Sequence, residues 1–103
     1  MISNILPGEH HHFIELEDGS GAYARLWPEE AGAHEGLADV EFKRNPSPRS
    51  LARLLAWFFD LIRKCPGNGV VVIILPDGCQ VQASFAVARG TLDKLVVEMG
   101  AQV

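Results

Sequence analysis

Six consecutive apolar residues, Val70 to Leu75, run straight into Pro76-Asp77-Gly78, and this junction restricts the architecture more than anything else in the chain. A short apolar run bounded by turn residues describes a strand with cover on both faces. The trio that follows is a turn: proline presets the first central angle, aspartate accepts a local hydrogen bond and glycine takes the left-handed position. Cys79, Val81, Ala83, Phe85 and Val87 then alternate with Gln80, Gln82 and Ser84, the period of a strand. A three-residue turn places Leu75 opposite Cys79. Val71, Ile73 and Leu75 therefore share one face with Cys79, Val81 and Ala83, and Val70, Val72 and Ile74 share the other with Gln80, Gln82 and Ser84.

Upstream lies the best-marked helix. Ser47 can cap the free amides of the first turn and Pro48 stands at the first helical position, where its missing N–H costs nothing. Leu51, Leu54, Leu55, Phe58, Leu61 and Ile62 recur at helical spacing, with Arg49, Arg53, Asp60 and Lys64 opposite. Pro66-Gly67 ends the element. Before it, Phe13 to Asp18 alternates, Asp18-Gly19-Ser20-Gly21 supplies a turn, and Ala22 to Trp27 resumes an extended pattern, which predicts a hairpin. Glu29 to Gly36 reads as an acidic loop. Leu37 to Lys43 reads as a third strand with one wet face, and Thr91 as the cap of a last helix through Leu92, Leu95, Val96 and Met99.

The order is thus β-β-β-α-β-β-α. It predicts one α+β domain over residues 1–103, a two-layer, mainly antiparallel five-stranded sheet with two helices on one face. At the level of element order alone this resembles small acidic bacterial chaperones and toxin-neutralising proteins.

Nine Lys and Arg against thirteen Asp and Glu give a net charge of -4, which argues against nucleic acid, whose binding needs clustered cations. No apolar stretch approaches the length of a membrane span, and no secretory signal is readable, so a cytoplasmic location is expected. Cys65 and Cys79 form no CxxC pair and read as reduced thiols. There is no GxSxG elbow, no Walker loop and no dinucleotide fingerprint, and hence no evident catalytic site or cofactor.

Three features invite a binding role. The face of Val70, Val72, Ile74, Gln80, Gln82 and Ser84 carries no charge, unlike a freely solvated sheet face. It calls for cover by the acidic loop, a second copy, another protein or a small ligand. Trp57 and Phe59 flank the helical stripe at about 100° on either side; they form an aromatic rim of an interface or the edges of a wide core-wrapping arc. His10 and His12 point the same way on an extended segment and could chelate a metal with His34 or Glu15. Arg25, Arg44, Arg49 and Arg53 could, more weakly, gather at the helix start as an anion site. The reading that follows is a small acidic protein-interaction domain of adaptor, chaperone-like or neutralising kind, a homodimer or bound to another protein. The alternative is a small-ligand or metal-binding domain using the sheet face or the histidine tract.

Overall fold

A computed structural model of the chain describes residues 10–28, 35–65 and 67–91. Five strands form one sheet in chain order: β1 (His10–Glu15), β2 (Gly21–Trp27), β3 (Gly36–Lys43), β4 (Gly69–Ile74) and β5 (Gln80–Ser84). Neighbours run antiparallel except β3 and β4, which are parallel because helix α1 (Pro48–Arg63) carries the chain back across the sheet between them. A second helix, α2, is described over residues 85–91. The expected α+β order and mainly antiparallel sheet are present.

The capping expected from sequence is in place. Ser47 Oγ accepts from Ser50 N–H at 3.2 Å and Pro48 opens α1. The helix lays Leu54, Phe58, Phe59 and Ile62 onto one face of the sheet, and Phe85 and Ala88 of α2 join the same core. Both helices therefore lie on one side. The sheet beneath them interlocks small with large residues across strands: Leu26 pairs with Ala38, Ala24 with Val40, and Ala22 with Phe42. These alternations keep the floor level, so a helix can approach without voids.

The β1–β2 turn is tied to the first turn of α1. Asp18 accepts from Ser20 N–H at 2.9 Å, from Ser20 Oγ–H at 2.6 Å and from Ser50 Oγ–H at 2.6 Å, while Glu17 pairs with Arg53 at 2.7 Å. Hydrogen bonds from Ser20 first, and then Ser50, hold the Asp18 carboxyl down to about 2 from an ordinary 3.8. The folded-state value is depressed, so the contribution to stability is complete above 3.8 and is lost as pH falls toward about 2. Asp18→Asn should therefore lower the melting temperature at neutral pH. It should also flatten the melting temperature between pH 4 and 2 relative to the parent; parallel curves would show that this carboxylate is not tied down.

The end of β5 differs from the sequence expectation. The strand stops at Ser84, and residues 85–91 are helical, so Phe85 and Val87 are not strand residues and Thr91 lies within the helix rather than at its cap. Ser84 Oγ accepts from Val87 N–H at 3.1 Å, the contact of an N-cap. The apolar alternation through Val87 concealed a switch of period: Phe85 and Ala88, three apart, are buried, while Val87 is exposed. Leu92, Leu95, Val96 and Met99 lie outside the described residues.

Phe85 settles where β3 and β4 begin. Gly36 and Gly69 face each other there, and a Cβ on Gly69 would stand 2.5 Å from the Gly36 carbonyl oxygen and 2.6 Å from the Phe85 ring. The two glycines form a floor on which the ring rests. Arg89, one turn later, lies 5.7 Å from the centre of that ring and donates to the Cys65 and Gly67 carbonyls at 2.7 and 3.0 Å, which fastens α2 to the exit of α1.

Candidate functional site

Alternation along five strands decides which side chains face away from the helices. On β4 they are Val70, Val72 and Ile74, and the register sets these opposite Ser84, Gln82 and Gln80 of β5. The expected hairpin register and face are both present. On β3 the same face carries Leu37, Asp39, Glu41 and Lys43, opposite Val70, Val72 and Ile74 where the parallel strands pair. β2 adds Tyr23, Arg25 and Trp27, and β1 adds His11, Phe13 and Glu15.

Apolar side chains are conspicuously exposed on this side: Phe13 is 58% exposed, Leu37 40%, Tyr23 38% and Val70 37%. Val72, Ile74 and Trp27 are half-buried, flanked by their neighbours on adjacent strands. Trp27, Leu37, Val70 and Ser84 form a row straight across four strands. Tyr23, Phe13, Leu37 and Trp27 went unassigned in the sequence reading. Their signal was present as large apolar residues in the phase opposite to the core residues Ala22, Ala24, Leu26 and Ala38.

Four of the five charges here form cross-strand pairs within the face, and the fifth, Glu41, is exposed. Arg25 and Asp39 are direct cross-strand partners joined by two parallel bonds, Nε to Oδ1 at 2.9 Å and a terminal nitrogen to Oδ2 at 2.8 Å. The carboxylate raises the already high pKa of the guanidinium, which lies 6.0 Å from the centre of the Trp27 ring. Lys43 and Glu15 pair across Gly21, the side-chain-free residue between them in the register. Hydrogen bonding to Lys43 lowers the Glu15 pKa. On β4 and β5 the face holds no charge at all, only Val70, Val72, Ile74, Gln80, Gln82 and Ser84.

Other expected site residues fall elsewhere. Phe59, expected at an aromatic rim, is 5% exposed and packs in the core, its ring 5.8 Å from that of Phe58. The apolar arc of α1 is wide enough to need it underneath. Trp57 is half-buried against the same core, on the helical layer and away from the open face. His10 and His12 do share a direction, on the helix side of β1, where they line a depression of about 300 Å³ with Leu26, Pro28, Leu61, Lys64 and Cys65. His34 lies outside the described residues. Among those described, no three His, Cys, Asp or Glu side chains gather as a metal set. Burial pushes the Cys65 thiol above its ordinary pKa. Cys79, exposed in the β4–β5 turn, is also raised, by its bond to Asp77. The four arginines do not all gather at the helix start: Arg25 lies on the open face with Asp39, whereas Arg53 reaches Glu17 and Arg44 lies against Gly19 of the β1–β2 turn.

No helix among the described residues is long and apolar enough to cross a membrane. No family model, curated protein or solved structure matches this chain.

Proposed function

We propose that this chain is a small protein-interaction domain, of adaptor, chaperone-like or neutralising kind, that receives another protein on the open face of its sheet. The observation that supports the reading is the placement of Val70, Val72 and Ile74 opposite the uncharged Ser84, Gln82 and Gln80, with Leu37 beside Val70. An apolar, uncharged strip on β4 and β5 bordered on β3 by the paired Asp39 and the exposed Glu41 has the composition of an interface core and its polar rim. The bidentate Arg25–Asp39 pair gives the patch a flat, rigid, polar landmark that a partner can meet without desolvating a lone charge. Chemistry on a bound small molecule would instead ask for converging titratable groups in a cleft, and this face is a sheet surface.

The test uses a photo-reactive amino acid incorporated at Val72 and, as a control, at Arg49 on the helical layer. Irradiation in the native cell should yield a discrete protein adduct from position 72 that position 49 does not give. The double variant Val72→Glu/Ile74→Glu should remain folded by circular dichroism, because both side chains lie outside the core. It should weaken capture of that adduct's partner more than tenfold, since a charge buried without a partner at an interface centre costs at least 1.4 kcal/mol, roughly a factor of ten. Identical adducts from positions 72 and 49 would defeat the reading.

A further inference from the structure

The sheet has a second unsatisfied surface, the outer edge of β5. The Leu75 N–H donates to the Cys79 carbonyl at 2.8 Å, which makes residues 75 and 79 a hydrogen-bonded pair. Antiparallel ladders alternate, so Ile73 with Val81 and Val71 with Ala83 are the next such pairs. The backbone groups of Gln80, Gln82 and Ser84 consequently point away from β4, and among the described residues no strand lies beyond them. Exposed edges are ordinarily guarded by charge, proline or a bulge. Of the two edges, β1 carries Glu15 and three histidines, whereas Gln80–Ser84 contains neither a charge nor a proline. Val81, on the helix side of β5, is 44% exposed.

We propose that β5 pairs antiparallel with β5 of a second copy of this chain, about a two-fold axis through Gln82. The register is selected by the residues. Gln82 meets Gln82 of the other copy and Gln80 meets Ser84, with outward backbone groups facing outward backbone groups. Val81 then meets Ala83, so apolar side chains pair on the helix side and amides pair on the open side. Shifting the axis by half a residue would set backbone groups already committed to β4 against the free ones, and shifting it by a whole residue would keep the free groups facing each other but pair only three of the five residues of β5. The chosen axis is perpendicular to the sheet, so both helical layers fall on one side. The two open faces become one continuous surface of five strands from each chain. This names a partner for the edge and does not require the face reading to be correct.

The experiment exploits the direction of one N–H. Proline at position 82 removes an amide that faces outward and leaves the ladder to β4 intact, whereas proline at 81 removes an inward one. Light scattering from low micromolar to near-millimolar concentration should give the parent at twice the 11.3 kDa chain mass. Gln82→Pro should run at the single-chain mass with an unchanged circular dichroism spectrum. Val81→Lys, which sets like charges near one another across the pair, is the second variant and should also be monomeric. Val81→Pro should lose structure. Slow hydrogen exchange at Gln80 and Gln82 in the parent should become fast in the monomeric variants. A parent that is monomeric at every concentration overturns the proposal, as does a dimer that survives both Gln82→Pro and Val81→Lys. A monomer whose Gln80 and Gln82 amides stay protected overturns it too, since another part of the same chain would then hold the edge. If Val72→Glu/Ile74→Glu dissociates the dimer and Gln82→Pro does not, the face is the self-association surface, and this proposal fails while the face reading stands.

Discussion

Phe85→Ala is expected to cost about 3–5 kcal/mol of folding stability, a large part of the roughly 5–15 kcal/mol that holds a domain of ordinary stability together. The ring is 1% exposed and fills the space that Gly36 and Gly69 leave open by lacking a Cβ. Its removal also weakens the seating of α2, whose other described anchors are Ala88 in the core and Arg89 on the Cys65 and Gly67 carbonyls. The two glycines should respond differently to alanine. On Gly36 the nearest atoms to an added Cβ are the Phe85 ring carbons at 2.7 and 2.9 Å, so Phe85→Leu should partly relieve Gly36→Ala. A coupling of about 0.5–3 kcal/mol is the scale for residues in contact. On Gly69 the nearest atoms are the Gly36 carbonyl oxygen and carbon at 2.5 and 2.6 Å, which cannot rotate away, so no shortening of Phe85 rescues Gly69→Ala. Urea midpoints at constant slope measure both cycles. A Gly36→Ala protein as stable as the parent would mean that the ring does not rest on this floor.

This junction was not legible in the sequence, and the reason is physical. Gly36 and Gly69 are far apart in the chain and look like turn residues. Only the parallel pairing of β3 with β4 brings them together, and that pairing depends on α1 crossing the sheet. Phe85 was misplaced for a related reason. Its alternation with Ala83 and Val87 satisfies a strand pattern, and the competing signal, a serine one residue earlier, is a single hydroxyl whose capping role depends on where the chain is already going. Local signals fared better. Ser47-Pro48 set the start of α1, and Pro76-Asp77-Gly78, with Gly78 at φ 92°, set the β4–β5 register and hence the face on which Val70, Val72 and Ile74 lie. A two-residue pattern propagates without error along a strand once one turn is known, which is why half of the candidate surface could be read directly. The half supplied by β1, β2 and β3 needed the strand order, a non-local property.

The same logic explains why the face can be apolar while the chain is acidic. The net negative charge comes from Glu17 and Asp18 in the β1–β2 turn and from Glu29, Glu30 and Glu35 in the acidic stretch after Trp27, whereas α1 carries three arginines against one aspartate. Within the sheet's open side, the described charges are mostly spent on cross-strand partners. Paired ions on neighbouring strands stiffen the surface and cancel their field, although exposed pairs of this kind contribute little to folding. Their value is to keep Phe13, Tyr23, Trp27 and Leu37 in a fixed array around a neutral centre.

Phe58→Ala should be as damaging as the loss of Phe85, at about 3–5 kcal/mol, because Phe58 is fully buried at the middle of the α1 stripe between Leu54 and Ile62. Its neighbours separate two views of the helix. Phe59 is buried beside Phe58 and packs against it at a 41° ring angle, so Phe59→Ala should cost nearly as much. Trp57 keeps part of its ring in water, so Trp57→Ala removes less buried surface and should cost well under half as much, in proportion to the apolar area it hides. The ordering Phe58 ≥ Phe59 > Trp57, measured by chemical denaturation in dilute solution where no oligomer contributes, follows from burial alone. If Phe59→Ala proved no worse than Trp57→Ala while weakening association, the aromatic would belong to a contact surface. The helical layer would then have to open toward a partner, rather than close over the sheet as the packing of Leu54, Phe58 and Ile62 requires.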